Sequence, residues 1–198
     1  LLAIGATLES VRDEDDPEEL HTVLSSLSQE IDRLDLVLKE YLSLAARRNA
    51  SVTRVDLRDV VEAARELLQG QLHLAGKRIV SEVPTGLELV ADFDGLKQVF
   101  FNLLANALEA SPAGGTVACG AEETAAGYRI HVDDEGVGLQ SPARECLVPF
   151  FSTKPSGTGL GLTVSQRIVE AHHGQLGLAN RDAGGCRATV ELPRRGRA

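Results

Sequence analysis

The stretch Val99–Ser111, VFFNLLANALEAS, decides how the rest of the chain is organised. Its apolar residues recur at helical spacing, which predicts a helix with one buried face. These residues are Val99, Phe100, Leu103, Leu104, Ala107 and Leu108. Gln98, Asn102 and Asn106 are spaced four apart and form a polar line along the same helix. Amides in such a helix usually bond backbone at the edge of a core, so a ligand-binding role needs support from elsewhere in the chain.

The overall composition is that of a soluble globular protein. The chain has 198 residues, of which 43% are hydrophobic and 25% charged, enough for one large domain or two small ones. A formal net charge of −9 argues against a nucleic-acid partner and against an anionic membrane surface. No apolar run is long enough to span a membrane, so we expect no membrane contact by this chain.

The cysteines and the first residue indicate the compartment and the extent of the chain. Cys119, Cys146 and Cys186 are widely spaced and form no C-x-x-C pair, which favours reduced thiols in a cytoplasmic protein over a zinc site or a disulfide scaffold. The chain begins at Leu1 and contains no Met. We therefore expect a fragment of a longer protein, whose upstream part would hold any membrane or sensory segment.

Residues 1–48 carry the pattern of a helical hairpin. A first amphipathic helix ends near Val11, and a second begins at Pro17 after a predicted N-cap at Asp16. Apolar residues then follow a heptad pattern over about four heptads. These are Leu20, Leu24, Leu27, Ile31, Leu34, Leu38, Tyr41 and Ala45. Two such hairpins complete a four-helix bundle, so we predict a homodimer through residues 1–48, followed by a linker at 49–53.

Residues 54–193 change to a mixed α and β pattern, with a short tail at 194–198. Strands in sequential pairs with helices between them predict an α/β sandwich, a mixed sheet covered on one face by helices. The predicted strands are 53–57, 78–83, 87–91, 116–122, 128–133, 175–180 and 186–192, and the predicted helices are 58–74, 94–110 and 159–172. Residues 135–158 are predicted to form a loop. The fold class is α+β: a helical hairpin followed by this sandwich.

Asp134-x-Gly136-x-Gly138 directly follows a predicted strand. An aspartate at a strand end can accept a hydrogen bond from an exocyclic amine, and the two glycines let the backbone approach a planar ligand. Taken alone the motif is weak, because Asp and Gly cluster in many turns.

A glycine-rich segment, Gly157-Thr158-Gly159-Leu160-Gly161, opens the last helix. It lacks the lysine of a P-loop, but free N–H groups and the positive end of a helix dipole favour an anion there. A flexible loop before a helix is the alternative. Between the two glycine motifs, Phe150 and Phe151 could anchor the base of a lid, and Lys154 offers a positive charge to a terminal phosphate.

Together these motifs resemble one protein family. Asn102 and Asn106, Asp134-x-Gly136-x-Gly138, Phe150-Phe151 and Gly157-x-Gly159-x-Gly161 occur in the order of the N, G1, F and G2 boxes of sensor histidine kinases of two-component systems. The resemblance covers residues 53–193 and is closest to short-lid kinases of the nitrogen-regulator type. It implies the Bergerat, or GHKL, ATP-binding fold, with residues 1–48 as the dimerisation and phosphotransfer hairpin.

The resemblance also implies residue roles. Asn106 would bind Mg²⁺, Asn102 would support the phosphates, and Asp134 would bind the adenine amino group. Asn106 and Lys154 would be the catalytic residues. The other implied contacts to ATP are Gly136, Gly138, Phe151, Thr153, Gly157, Thr158, Gly159, Leu160 and Gly161. The implied reaction transfers the γ-phosphoryl group of Mg-ATP to a histidine for relay to an aspartate of a response-regulator receiver domain.

Gyrase-type and MutL-type ATPases share the fold and are the principal rival interpretation. They carry a glutamate one helical turn before the metal-binding asparagine, to activate water. Asn102 stands at that place and cannot act as a general base, which favours transfer over hydrolysis. A catalytically silent signalling module and a protein-serine kinase of the same superfamily are two further possibilities.

Two features depart from the family pattern. The phosphoacceptor histidine would lie about five residues before Leu1, so we expect this chain to be unable to phosphorylate itself. None of the five histidines has the acidic neighbour and proline of the acceptor pattern; they are His21, His73, His131, His172 and His173. Glu109 stands where many relatives carry a basic residue near the phosphates, which is expected to weaken ATP binding.

Overall fold

The computed structural model describes residues 51–70, 72, 76–154 and 157–194. The predicted hairpin at 1–48, most of the linker and the tail beyond Arg194 lie outside these described residues. In the described ranges, no helix is long and apolar enough to cross a membrane.

Seven strands and four helices make up the described part of the chain. In chain order they are β1 (Val52–Asp56), α1 (Leu57–Glu66), β2 (Arg78–Glu82), β3 (Glu88–Asp92), α2 (Phe93–Ala110), β4 (Thr116–Glu123), β5 (Gly127–Asp133), α3 (Ala143–Cys146), α4 (Gly161–Ala171), β6 (Gln175–Asn180) and β7 (Cys186–Pro193). The predicted strands and the two later predicted helices are found within two residues of these bounds.

The main sheet has five strands in the order β2-β4-β5-β7-β6, in which β2 and β4 are parallel and the other pairs antiparallel. Alternate residues of its central strands are buried, as expected for a sheet that is covered on one face. Ile130 of β5 and Val190 of β7 are opposite each other on the buried face. The predicted mixed sheet with helices on one face is therefore confirmed.

Helix α2, which contains the opening stretch, packs between α1 and α4 and against the sheet. Its predicted apolar residues are all buried, with Phe100 and Leu104 fully inaccessible. Because this central helix touches every layer of the core, the polar side chains along it lie within reach of α4 and of the loops at its end.

Three details differ from the predictions. Strands β2 and β3 do not pair with each other, since β3 joins β1 in a separate antiparallel two-stranded sheet. The helix predicted over 58–74 ends at Glu66, where a bond from the Leu68 N–H to the Arg65 carbonyl tightens the last turn. The predicted loop at 135–158 contains the single-turn helix α3.

Candidate functional site

The Asp134 carboxylate, at the end of β5, is held by two backbone donors. Its Oδ1 accepts hydrogen bonds from the N–H groups of Gly136, at 2.8 Å, and Cys186, at 3.0 Å. Asp134 is buried, and its Oδ2 has no hydrogen-bond partner within the described ranges. One oxygen is therefore fixed by the fold while the other is left for a donor from outside, such as an exocyclic amine.

The turn between β6 and β7 forms the wall behind Asp134. The Asp134 N–H donates to the Cys186 carbonyl, and Arg181 Nη1 donates to the Asp134 carbonyl at 2.7 Å. A Cβ on Gly185 would lie 2.0 Å from that carbonyl oxygen, and the φ of Gly185 is +81°, so only glycine fits there. Burial, together with the nearby Asp134 carboxylate, raises the pKa of the Cys186 thiol to about 11.

Asp133, next to Asp134, is neutralised by two arginines. Arg187 makes two hydrogen bonds to its carboxylate, both at 2.6 Å, and Arg181 Nε lies 3.4 Å from Oδ2. Burial alone would raise the pKa of Asp133, but Arg187 and then Arg181 outweigh it and lower that pKa below its usual range. The chain thus keeps a second, buried carboxylate charged beside Asp134.

Gly136 and Gly138 let neighbouring parts of the protein come close. A Cβ on Gly136 would lie 2.6 Å from the Ala110 carbonyl oxygen, at the end of α2. A Cβ on Gly138 would lie 2.7 Å from Asn180 Oδ1, which also accepts a 2.6 Å hydrogen bond from Leu139. These two glycines therefore bring the motif against α2 and β6, a constraint separate from the predicted approach to a ligand.

The two asparagines of α2 have different surroundings. Asn102 Nδ2 donates to the Gly161 carbonyl at 3.1 Å and to Ser165 Oγ at 3.3 Å, which joins α2 to the first turn of α4. Asn106, half-buried one turn later, makes no hydrogen bond with its side chain among the described residues. Asn106 therefore keeps a free amide oxygen, whereas the Asn102 amide nitrogen is already used.

The glycine-rich segment packs directly against the aromatic motif. Phe150 has a φ of +65°, strained for a bulky residue, and its N–H donates to the Gly159 carbonyl at 3.0 Å. Gly159 also has a positive φ, and a Cβ there would lie 2.4 Å from Phe150 backbone. A Cβ on Gly157 would meet Ser152 Oγ. The first two glycines of the motif thus let the 150–152 segment lie against the start of α4.

The predicted phosphate contacts lie at the N-terminus of α4 and beside it. Leu160, the N-cap of α4, is buried, and its N–H donates to Thr158 Oγ1 at 3.3 Å. Phe151 is half-buried, and Thr153 is exposed. Lys154 Nζ lies 2.5 Å from Glu109 Oε2, and Glu109 follows Asn106 by three residues on α2. Glu109, which departs from the family pattern, therefore contacts the very lysine that is predicted to meet a phosphate.

Sequence reasoning finds the four motifs but misses the residues of the β6–β7 turn. Arg181, Gly185 and Cys186 all contact Asp134, from about 50 positions away in the chain. The Gly184-Gly185 pair by itself indicates only a turn. Ser165, which meets Asn102, is also missed, because nothing in its local pattern separates it from an ordinary helical serine.

Comparison with known proteins agrees with this arrangement. Residues 91–196 match the family described as histidine kinase-, DNA gyrase B-, and HSP90-like ATPase. The sensor histidine kinase ZraS of Escherichia coli O157:H7 is 34% identical over 177 residues, which cover 88% of this chain and 39% of that protein. The chain thus spans about two fifths of the length of that curated relative.

Solved structures show the same likeness. The catalytic domain of the histidine kinase ThkA, in a nucleotide-free form, is 28% identical with a TM-score of 0.68, covering 74% of this chain and 97% of that one. ThkA in complex with the response regulator protein TrrA is 26% identical with a TM-score of 0.79, covering 97% of this chain and 57% of that one. Together with the four motifs, these likenesses identify the chain as a member of the histidine kinase-, DNA gyrase B- and HSP90-like ATPase family that carries a sensor histidine kinase ATP-binding domain.

Proposed function

We propose that this chain is the catalytic core of a sensor histidine kinase, which binds Mg-ATP through residues 54–193 and transfers its γ-phosphoryl group to a histidine of the dimerisation helix. The acceptor histidine would lie upstream of Leu1. From there the phosphoryl group would pass to an aspartate of a response-regulator receiver domain. The proposal goes beyond the family assignment, which concerns the ATP-binding domain.

The observation that carries the proposal is the Asp134 carboxylate. Its Oδ1 is occupied by two backbone donors at 2.8 and 3.0 Å, which orients the group, and its Oδ2 remains able to accept from the adenine amino group. A buried acceptor with a fixed direction selects a ligand that carries a donor, because a ligand without one leaves the acceptor unpaired.

The phosphate end of the site is supported by α4 and α2. Helix α4 begins at Gly161 without a side-chain cap, so the N–H groups of its first turn are available to phosphate oxygens. Asn106 offers a free amide oxygen, a hard ligand of the kind that Mg²⁺ accepts alongside phosphate oxygens and water. When bound, the ion would neutralise charge on the phosphates; Asn106 would hold it, and Lys154 would add a positive charge from the lid side.

Asn102 supports transfer rather than hydrolysis. A general base must accept a proton, and a carboxamide cannot do so at neutral pH. Its amide nitrogen also bonds Gly161 and Ser165, so the side chain braces α2 against α4. We therefore favour a protein acceptor over a water molecule, and a kinase over an ATPase of the gyrase type.

The proposed partners follow from the sequence and from relatives. The heptad pattern of residues 1–48 supports a homodimer, with 49–53 as the linker to the ATP-binding domain. ThkA, similar over most of this chain, has been crystallised with the response regulator TrrA, which supports a receiver domain as the partner here. A catalytically silent module remains the second candidate, and labelling of an extended chain separates the two.

The test is nucleotide binding by the purified chain, measured by titration calorimetry with and without magnesium. ATP and ADP should bind in a magnesium-dependent way. Asp134→Ala should weaken binding more than about tenfold, the order expected when an oriented charge-assisted hydrogen bond is lost. Asp94→Ala is the matched control, because Asp94 is an exposed carboxylate at the far end of α2. Failure of the wild-type chain to bind adenine nucleotides would contradict the proposal.

The second arm is self-phosphorylation with γ-labelled ATP. The chain as it stands should take up no label, whereas an extended chain that restores the upstream segment should become labelled on histidine. Label on the present chain would contradict the proposed position of the acceptor. ATP binding without labelling of the extended chain would favour the silent module.

A further inference from the structure

Arg181 lies in the β6–β7 turn, outside all four sequence motifs, and contacts the backbone of Asp134. Its Nη1 donates to the Asp134 carbonyl at 2.7 Å, and its Nε lies 3.4 Å from Asp133 Oδ2. One guanidinium therefore spans the two adjacent residues at the end of β5. A planar group with several fixed donors suits this double contact, which a lysine ammonium cannot reproduce in full.

Arg181 is itself held in place on both sides. Its backbone N–H donates to the Gly185 carbonyl at 3.0 Å, and its carbonyl accepts from Gly184 at 3.0 Å, which closes the turn. Its anionic partner, Asp133, is fixed independently by two 2.6 Å hydrogen bonds from Arg187. The side chain of Arg181 is only 28% exposed. The arginine is thus a part of the built turn and not a mobile surface charge.

Asp134 is consequently bonded at every polar backbone and side-chain atom except one. Its N–H, its carbonyl and its Oδ1 all have partners on the turn or on Gly136, and Oδ2 is the exception within the described ranges. Removal of the Arg181 contact frees the carbonyl and leaves Asp133 with one arginine in place of two. The peptide of Asp134 could then rotate, and with it the direction of Oδ2.

We propose that Arg181 is a positioning residue for base recognition, which fixes the direction of the Asp134 carboxylate and so sets the preference for adenine nucleotides over nucleotides that lack the exocyclic amine. This inference rests on the proposed function. Arg181 does not touch the base; it acts through Asp134.

The test compares ATP with inosine triphosphate, which has an oxygen in place of the adenine amino group. Arg181→Gln should lower the affinity for ATP about five- to tenfold and change the affinity for inosine triphosphate less than about twofold, so the preference for ATP falls. Arg181→Lys should restore part of that preference, because an ammonium can make one of the two contacts. Thermal unfolding of each variant verifies that it is folded.

Arg129→Gln is the matched control, because Arg129 bridges Glu122 and Glu191 on the same sheet and has no contact with Asp134 in the described part. It should leave the ATP preference unchanged. The inference is overturned if Arg181→Gln keeps the wild-type preference, or if it lowers the affinity for both nucleotides equally as a structural defect would. A wild-type chain with no preference for ATP would instead count against the proposed role of Asp134.

Discussion

Single charged residues set the balance between the nucleotide-free and the nucleotide-bound site. Lys154 and Glu109 form an ion pair at 2.5 Å, with side chains 33% and 56% exposed. Pairs this accessible to water contribute about 0–1 kcal/mol. Their importance lies in competition: if Lys154 meets a phosphate as we propose, it must loosen its contact with Glu109, or else bring a carboxylate close to the phosphate charge.

We therefore predict that Glu109→Gln raises the affinity for ATP about two- to fivefold, by removing a competing anion worth up to about 1 kcal/mol. In a Lys154→Ala background the same substitution should have a much smaller effect, since the competition has been removed. Calorimetric titration of the two single variants and the double variant with Mg-ATP measures this coupling.

Asp94→Asn is the control for this cycle, because Asp94 pairs with Lys97 at 2.6 Å near the other end of α2. It should leave ATP affinity unchanged. Weaker ATP binding by Glu109→Gln would mean that the carboxylate assists the nucleotide, and an equal effect in both backgrounds would mean that Lys154 is not its competitor.

At the scale of elements, α2 is joined to α4 at both ends. Asn102 bonds the first turn of α4, and His172, the C-cap of α4, meets the start of α2. The His172 ring accepts from the Asp92 N–H at Nε2, at 3.0 Å, and its Nδ1 lies 2.7 Å from the Ile168 carbonyl. The neutral ring with its proton on Nδ1 satisfies both contacts. His172 thus caps α4 and, through its second bond, joins the two helices.

We predict that His172→Ala lowers the free energy of unfolding by about 1–3 kcal/mol, since it leaves the Asp92 N–H and the Ile168 carbonyl without this partner. Urea unfolding followed by circular dichroism measures the change. His173→Gly is the neighbouring control: His173 has a φ of +59°, which glycine adopts easily, so its effect should stay within about 0.5 kcal/mol. A loss for His172→Ala no larger than that of the control would exclude a bridging role.

At the scale of the whole molecule, the site depends on parts of the sheet that are distant in the chain. Asp133 of β5 and Arg187 of β7 are register partners, and their bond lies directly beside Asp134. Because the folded protein lowers the pKa of Asp133 below its ordinary value of 3.8, the charged pair stabilises the fold above that pH. This stabilisation is lost as the pH falls through the folded pKa.

Asp133→Asn should therefore be less stable than the wild type at pH 7, by about 1–3 kcal/mol, with the difference shrinking below about pH 4. Urea unfolding at pH 7, 5, 4 and 3 gives the two curves. Asp182→Asn, an exposed carboxylate on the adjacent turn, should differ little from wild type at any of these pH values. A gap for Asp133→Asn that is the same at pH 3 and pH 7 would show that the ion pair is not its source.

Much of the fold could be predicted because its signals are local. The apolar spacing of 99–108 predicts the buried face of α2, and alternation with turn residues predicts the strands closely. The partner of β3 could not be predicted, because β3 follows a hairpin-like turn yet pairs with β1, more than 30 residues earlier. Strand pairing over such distances depends on which faces the core buries, and a local pattern carries no record of that.

The candidate site divides in the same way. The residue types and the order of the Asn, Asp, Phe and Gly motifs are enough to indicate a nucleotide and to favour transfer over hydrolysis, because each motif is a short segment with its own chemistry. The orientation of Asp134 comes from Arg181 and Cys186, and the partner of Lys154 is Glu109, 45 positions away. Such contacts exist only once the sheet and the α2–α4 pair have brought separate segments together, since hydrogen bonds and ion pairs act over a few ångströms of space and not along the chain.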